Sequence, residues 1–408
     1  MKHTAVFLFL LWSLTTSYSQ VITPSSLQTH INVLASDSLE GRGTATTGEI
    51  KAANYIARQF QKAGLMPRGH NDTYFQPFTL SFKIDGFTHQ QTARNVVGLL
   101  DNGAAATIVI GAHYDHLGTG LQSGSLAPES AGYIHNGADD NASGTAGMIE
   151  LAHFLASNNI RERFNFLFIA FSAEELGLIG SKYFVENPTI PFDDIAFMIN
   201  MDMIGRYNAG KGLTIGGWGT SSWWGKLIPG IARQQGIVYK PDSSGIGPSD
   251  HTSFYSKKKP VLFFFTGAHS DYHKPVDDAD KINAEGTAKV LAIITGLIAK
   301  LDSETGIPDY LEAANPHAQA SRTSFKVTLG VMPDYNFTGN GVRIDGVSAG
   351  RPAELAGIKS GDVITRIGKT AIKDIYEYMD VLGKHEKGQT VEVEFVRGQE
   401  IRKTRLTF

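Results

Sequence analysis

Five places in this chain set side chains that bind cations or move protons at the ends of apolar runs: His113 with Asp115, the pair Asp139-Asp140, the pair Glu174-Glu175, Asp202, and His273. The chain has no cysteine, so any metal must be held by imidazole nitrogen and carboxylate oxygen, the donors that zinc and other borderline or hard cations accept. Each place has a plain reading by itself. Asp115, two residues beyond His113, is placed to accept the spare ring N–H of that histidine, and a His-x-Asp is often just a structural hydrogen bond. Adjacent carboxylates repel unless solvent or a cation separates them, so Asp139-Asp140 also reads as a solvated turn. Glu174-Glu175 would suit a helix N-terminus through its dipole. Asp202 needs a partner, because burying a lone carboxylate costs several kcal/mol. Taken together, two histidines and at least three acids on one face suit a pair of zinc ions with a position left open for water.

The elements that must position these residues read as an α/β alternation. Asn95–Leu100 and Thr107–Ala112 are short β-branched runs consistent with strands. Phe164–Phe171 is an apolar run of the kind covered on both faces, and Ile195–Met201 and Val261–Phe265 complete the strand set. Thr46–Ala63, Thr145–Ser157, a stretch that the acids Glu174 and Glu175 lead into and that runs through Phe184, Thr220–Gln235 and Ile282–Leu301 read as helices. The expected fold is an α/β domain with a mostly parallel mixed sheet and helices on both faces. Ligands in such sheets sit beyond the carboxyl ends of the strands, where His113, Glu174, Glu175 and Asp202 all fall. Gly118–Gly137, rich in Gly and Ser and without periodicity, is a loop of functional length. Trp218, Trp223, Trp224 and Phe254 are candidates to line a pocket with it, although aromatic core packing is the simpler reading. Arg206, beside Asp202, could meet substrate or neutralise the acids.

Length, a 42% hydrophobic content and a net charge of −3 describe a globular chain with no basic footprint for nucleic acid or an anionic membrane. Lys2, the apolar run Ala5–Leu14 and the small-residue site before Gln20 have the layout of a cleaved signal peptide over 1–19, too short for a membrane span. An exported protein, periplasmic or extracellular, is therefore expected. The periodic pattern is expected to fill 20–305, with a linker at 306–323 that contains Pro308 and Pro316. Beyond it, 324–408 changes composition: basic residues outnumber acidic ones, and turn glycines separate short strands, as in a small β-rich domain.

The motifs GAHYDHLG (111–118), GADDNASG (137–144), FSAEELGLIGS (171–181), NMDMIG (200–205) and DYHKP (271–275) resemble those of the co-catalytic di-zinc aminopeptidases, a family that includes glutamate carboxypeptidase-like metallopeptidases. The resemblance covers roughly 25–305 and implies a zinc exopeptidase-like fold with two Zn2+ per chain. It implies one zinc on His113 and Asp202, another on Glu175 and His273, and Asp140 as the bridge. It further implies Glu174 as general base, Asp115 as the residue orienting His113, and Tyr272 as a donor to the developing oxyanion. The expected activity is hydrolysis of N-terminal residues from peptides. A carboxypeptidase or glutaminyl cyclase of the same fold, or a non-catalytic peptide-binding protein, are the alternatives. The C-terminal part resembles a PDZ domain, on Thr328-Leu329-Gly330-Val331, Arg351–Ile358 and Lys359–Ile364. That resemblance implies a site for a peptide's C-terminal carboxylate, unless the module only docks.

Overall fold

The computed structural model of the chain describes residues 21–84, 87–121, 124–127, 130–313, 327–333, 337, 339–347, 350–373 and 375–408. The expected signal peptide, 1–19, lies outside the described residues. Among those described, no helix is long and apolar enough to cross a membrane.

One sheet gathers nine strands: β1 (Met66–Pro67), β2 (Phe75–Ile84), β3 (Phe87–Leu100), β4 (Thr107–His113), β5 (Asn165–Phe171), β6 (Ile195–Met201), β7 (Leu213–Gly216), β8 (Tyr239–Pro241) and β9 (Val261–Phe265). Their order is β1-β3-β5-β4-β6-β9-β7-β8, with β2 paired to β3. The central neighbours β5, β4, β6 and β9 run parallel, while β3 and β7 flank them antiparallel. Register then decides where the site lies. His113 pairs with Phe171, and Met201 with Phe264, so these strands end along one edge and the residues after them emerge side by side.

Both faces of the central strands are buried, which is why they read as continuous apolar runs. On β5, Phe166, Phe168 and Ala170 pack against one helical layer, and Leu167, Ile169 and Phe171 against the other. The helices are α1 (Pro24–Leu34), α2 (Thr47–Lys62), α3 (Gly144–Ser157), α4 (Ile179–Glu186), α5 (Trp224–Gln234), α6 (His251–Ser256) and α7 (Ala284–Ser303). Buried residues of α1, α2, α3, α5 and α7 form the first layer, and those of α4 and α6 the second.

A second antiparallel sheet, with its own core around Leu329, Ile344, Ile364 and Phe395, lies C-terminal to this body. Its strands are β10 (Val331–Pro333), β11 (Val342–Val347), β12 (Val363–Ile367), β13 (Thr370–Ala371), β14 (Thr390–Arg397) and β15 (Glu400–Thr407), with helices α8 (Pro352–Leu355) and α9 (Ile375–Gly383).

The structure sharpens three of these elements. The helical stretch that the two acids lead into begins at Ile179, because the amides of Gly177 and Leu178 both return to the carbonyl of Glu174 and close a turn first. Asn95–Leu100 is the end of a strand twice that length, β3, whose polar half pairs with β2 and lacks the apolar run that marks a central strand. The first residues of the expected linker are fastened to the α/β body: Asp309 accepts from Ser221 and Ser222 at 2.8 and 3.0 Å, and the Ala313 amide donates to Tyr255 Oη at 2.9 Å. Residues 314–326 lie outside the described residues.

Candidate metal centre

At the shared edge of β4, β5, β6 and β9, two donor sets face each other across Asp140. His113 Nε2 lies 3.3 Å from Asp140 Oδ1 and 3.3 Å from Asp202 Oδ1. His273 Nε2 lies 3.0 Å from Asp140 Oδ2 and 3.1 Å from Glu175 Oε2. Donor atoms bound at zinc distances around a tetrahedral ion are about 3.3 Å from one another, so both sets have the spacing of a cation's ligands. The donor chemistry fits too, with one Asp140 oxygen offered to each set. Glu174 lines the same cavity with His113, Asp140, Glu175, Asp202, Tyr272 and His273. Seven of the eight residues expected at the site thus line one cavity, and Tyr272 stacks on His273 with ring centroids 3.8 Å apart.

The turns that aim these groups leave ordinary backbone space. Ala173, Met203 and His273 have φ of 57°, 52° and 55°, a left-handed conformation that non-glycine residues rarely hold, and each sits at or beside an expected site residue.

Charge is balanced within the cluster. Burial disfavours the His113 imidazolium, but Asp202 and Glu174, with hydrogen bonds to Asp140 and Asp202, outweigh it and hold its pKa well above 6.5. Burial is likewise overcome at His273, where Glu175 and Asp140 hold the pKa well above the usual value. Glu175 is brought down to about 2 despite its burial, chiefly by His273. Glu174 goes the other way: burial raises it well above 4.5, against His113 and with the help of Glu175, Asp202 and Asp250. Two adjacent glutamates are thereby split into a firm anion and a basic carboxylate, the second being what general-base chemistry near neutral pH needs.

Asp115 is close to His113 but is used differently from the expectation. His113 Nδ1 meets the backbone carbonyl of Asp115 at 3.2 Å, while the carboxylate Oδ1 is 3.8 Å away. The carboxylate instead accepts the Glu174 amide at 3.1 Å and the Thr44 hydroxyl at 2.8 Å. Just past the end of β4 the Asp115 backbone carbonyl comes nearer to the ring than its carboxylate, which holds the turn that carries Glu174. Arg206 neutralises acids: Nη2 lies 3.1 Å from Asp277 and 3.3 Å from Asp271. None of the aromatic candidates is among the residues that line the cavity. Trp224 and Phe254 are core, packed on Phe197 and on Phe171, Phe184 and Phe192, and Trp218, stacked on Tyr239, and Trp223 lie partly buried against the core.

Several supports had no signal in residue order. Asp277 Oδ2 accepts the amides of Asp139 and Asp140 at 2.9 and 3.1 Å, while Asp139 turns away to His269 and the Gly205 amide. Arg42, fully buried, donates to the carbonyls of Leu34, Tyr114, Asn136 and Gly137 and so gathers the strand end and the loop end. The Gly118–Gly137 loop contributes Gly124 O, which lies 2.8 Å from His273 Nδ1 and fixes that ring. His116 reaches Glu175 Oε1 at 2.8 Å. A histidine in a motif already rich in donors was the one hint of its place.

Residues 95–298 match peptidase family M28, half of the chain, and residues 322–407 match the PDZ domain. The chain belongs to peptidase family M28. It is similar to leupeptin-inactivating enzyme 1 of Streptomyces exfoliatus, 26% identical over 253 residues that cover 62% of this chain and 50% of that protein. It is also similar to aminopeptidase YwaD of Bacillus subtilis, 28% identical over 234 residues, covering 53% of this chain and 46% of that one. The chain thus spans about half the length of these two relatives. Its fold is that of a Zn-dependent exopeptidase from Parabacteroides distasonis, with a TM-score of 0.55 at 17% identity over 69% of this chain and 99% of the other.

Proposed function

We propose that this M28 protein is a zinc-dependent aminopeptidase that removes N-terminal residues from peptides with two zinc ions. The observation that carries the reading is Asp140, one carboxylate whose two oxygens face two separate His and carboxylate sets at 3.0–3.3 Å. His113, Asp140 and Asp202 would hold one ion and Asp140, Glu175 and His273 the other, supplying a polarised scissile carbonyl and a water of lowered pKa. Glu174 would serve as the general base, accepting a proton on its carboxylate and passing it to the leaving amine. Asp115 holds the Glu174 amide in place, and Tyr272 offers its hydroxyl to the oxygen that gains charge. Met203, Phe263, Phe265 and Ala268 form the apolar wall of the cavity, against which the N-terminal side chain would lie. We further place the protein outside the cytoplasm, on the signal-like layout of 1–19. The C-terminal module, on this reading, receives a peptide carboxylate beside Gly330, whose φ of 72° keeps the Thr328–Val331 loop tight.

The test joins metal analysis with one substitution. The purified chain should carry two zincs, and Glu174→Gln should keep both while losing about 10²–10⁴-fold of its turnover of amino-acyl arylamides. Full turnover in that variant would remove Glu174 from the base role, and fewer than two zincs in the parent would remove the second ion.

A further inference from the structure

His116 closes the motif that contains His113 and Asp115, yet none of the five donors that pair around Asp140 accounts for it. Its side chain is fully buried. Nδ1 lies 2.8 Å from Glu175 Oε1 and 3.8 Å from Asp140 Oδ2. Glu175 is therefore shared by two histidines: Oε1 faces His116, and Oε2 lies 3.1 Å from His273 Nε2. The ring is held from three sides. Its backbone amide donates to Arg42 O at 3.1 Å, His273 meets it edge to face with centroids 5.7 Å apart, and Gly137 packs under it so closely that a Cβ there would come within 2.6 Å of ring Cγ.

The tautomer follows from the other nitrogen. His116 Nε2 is buried with no hydrogen-bond partner among the described residues. An N–H there would be an unsatisfied buried donor, whereas a proton on Nδ1 meets a carboxylate oxygen at hydrogen-bond distance. His116 Nδ1 has ligand spacing with Asp140 and Glu175. His113 and His273, however, each set Nδ1 against a backbone carbonyl and leave Nε2 for an ion, whereas His116 has no acceptor for a proton on Nε2 among the described residues. Its proton stays on Nδ1, and His116 stands beside the candidate ion as a donor to Glu175.

Resting on the two-zinc reading above, we propose that His116 is a positioning residue for the second zinc: it donates Nδ1–H to Glu175 Oε1 and so reserves Oε2 as the single oxygen turned toward Asp140 and His273. Removing such a donor to a ligating carboxylate costs about 10–100-fold in metal affinity. The experiment is chelator competition on the full-length protein loaded with zinc, following the two ions separately, in the parent, His116→Ala and His116→Asn. The asparagine amide can present an N–H where Nδ1–H stands. In His116→Ala one of the two zincs should dissociate about 10–100-fold more readily while the other keeps its parental affinity, and His116→Asn should regain most of the loss. Parental affinity at both ions in His116→Ala would overturn the proposal, and so would a His116→Asn variant as weak as the alanine, since a ligand or a packing role needs the ring. Equal weakening of both ions would overturn it as well, by pointing to a general disturbance of the fold. A parent that binds one zinc overturns the two-zinc reading itself, an outcome seen before any variant is made.

Discussion

At Asp140, Oδ1 and Oδ2 each meet an imidazole that its neighbours hold protonated beyond the usual histidine range. His113 and His273 thus act as counter-ions to Asp140, Glu175 and Asp202, and a cation that enters the cluster takes over their positive charge. The protons must leave, because a ligating histidine is neutral. Zinc affinity should accordingly fall as pH is lowered from 8 to 6, by about tenfold per pH unit for each proton displaced. Competition titrations across that range read it directly, and a flat profile would contradict the pairing. The same accounting separates Glu174 from Glu175: one stays an anion beside His273, the other is a basic carboxylate beside Glu175 and Asp202.

Elements hold these residues through buried polar ties, and the one between α2 and the end of β5 carries its own pH dependence. Glu49, in the first turn of α2, is fully buried, accepts the Ala45 amide at 2.7 Å and pairs with Ser172 just beyond β5. Burial, with the Asp115 charge, raises its pKa from 4.5 to about 8. A carboxyl raised on folding contributes its stability in full below the unfolded value near 4.5, and that contribution is lost as pH rises through about 8. Glu49→Gln keeps both hydrogen-bond partners and has no charge to bury. Its melting temperature should match the parent's near pH 5, exceed it progressively as pH rises toward 8 and by a constant margin beyond; the same difference at pH 5 and pH 9 would contradict the buried, protonated state. The turn after β5 depends on this tie, since Ser172 leads into Ala173 and Glu174.

On the scale of the molecule, two cores share one chain and touch near the site. The C-terminal sheet has its own buried cluster, so truncation at 321 removes no residue from the α/β core. Arg351, at the start of α8, donates to Ser125 O at 3.0 Å, in the loop whose next residue, Leu126, binds His273 O and whose preceding one, Gly124, binds the His273 ring. Deleting 321–408 should therefore leave folding and zinc content intact but release one anchor of the 118–137 loop. Limited proteolysis should cut the truncated chain faster within that loop than the full-length chain. Equal cleavage rates would mean the contact does not restrain it, and loss of zinc on truncation would mean the two cores are not independent.

The α/β alternation, the buried strand Phe164–Phe171 and the donors at strand ends were legible in residue order, because buried strands are apolar throughout and polar residues mark where they leave the core. The small β-rich end was legible for a similar reason, in its turn glycines and change of charge. Tertiary structure alone decided what depends on chain segments far apart. It turned the Asp115 carboxylate to Glu174 and Thr44, set Asp277 under the Asp139 and Asp140 amides, and brought Arg42 and Gly124 to the site. Register supplied the rest: parallel strands ending level place His113, Glu175 and Asp202 together, and spacing along the chain carries no record of that alignment. His116 belongs to both accounts, visible as a residue type in the sequence and given a partner only when Glu175, 59 positions later, is folded beside it.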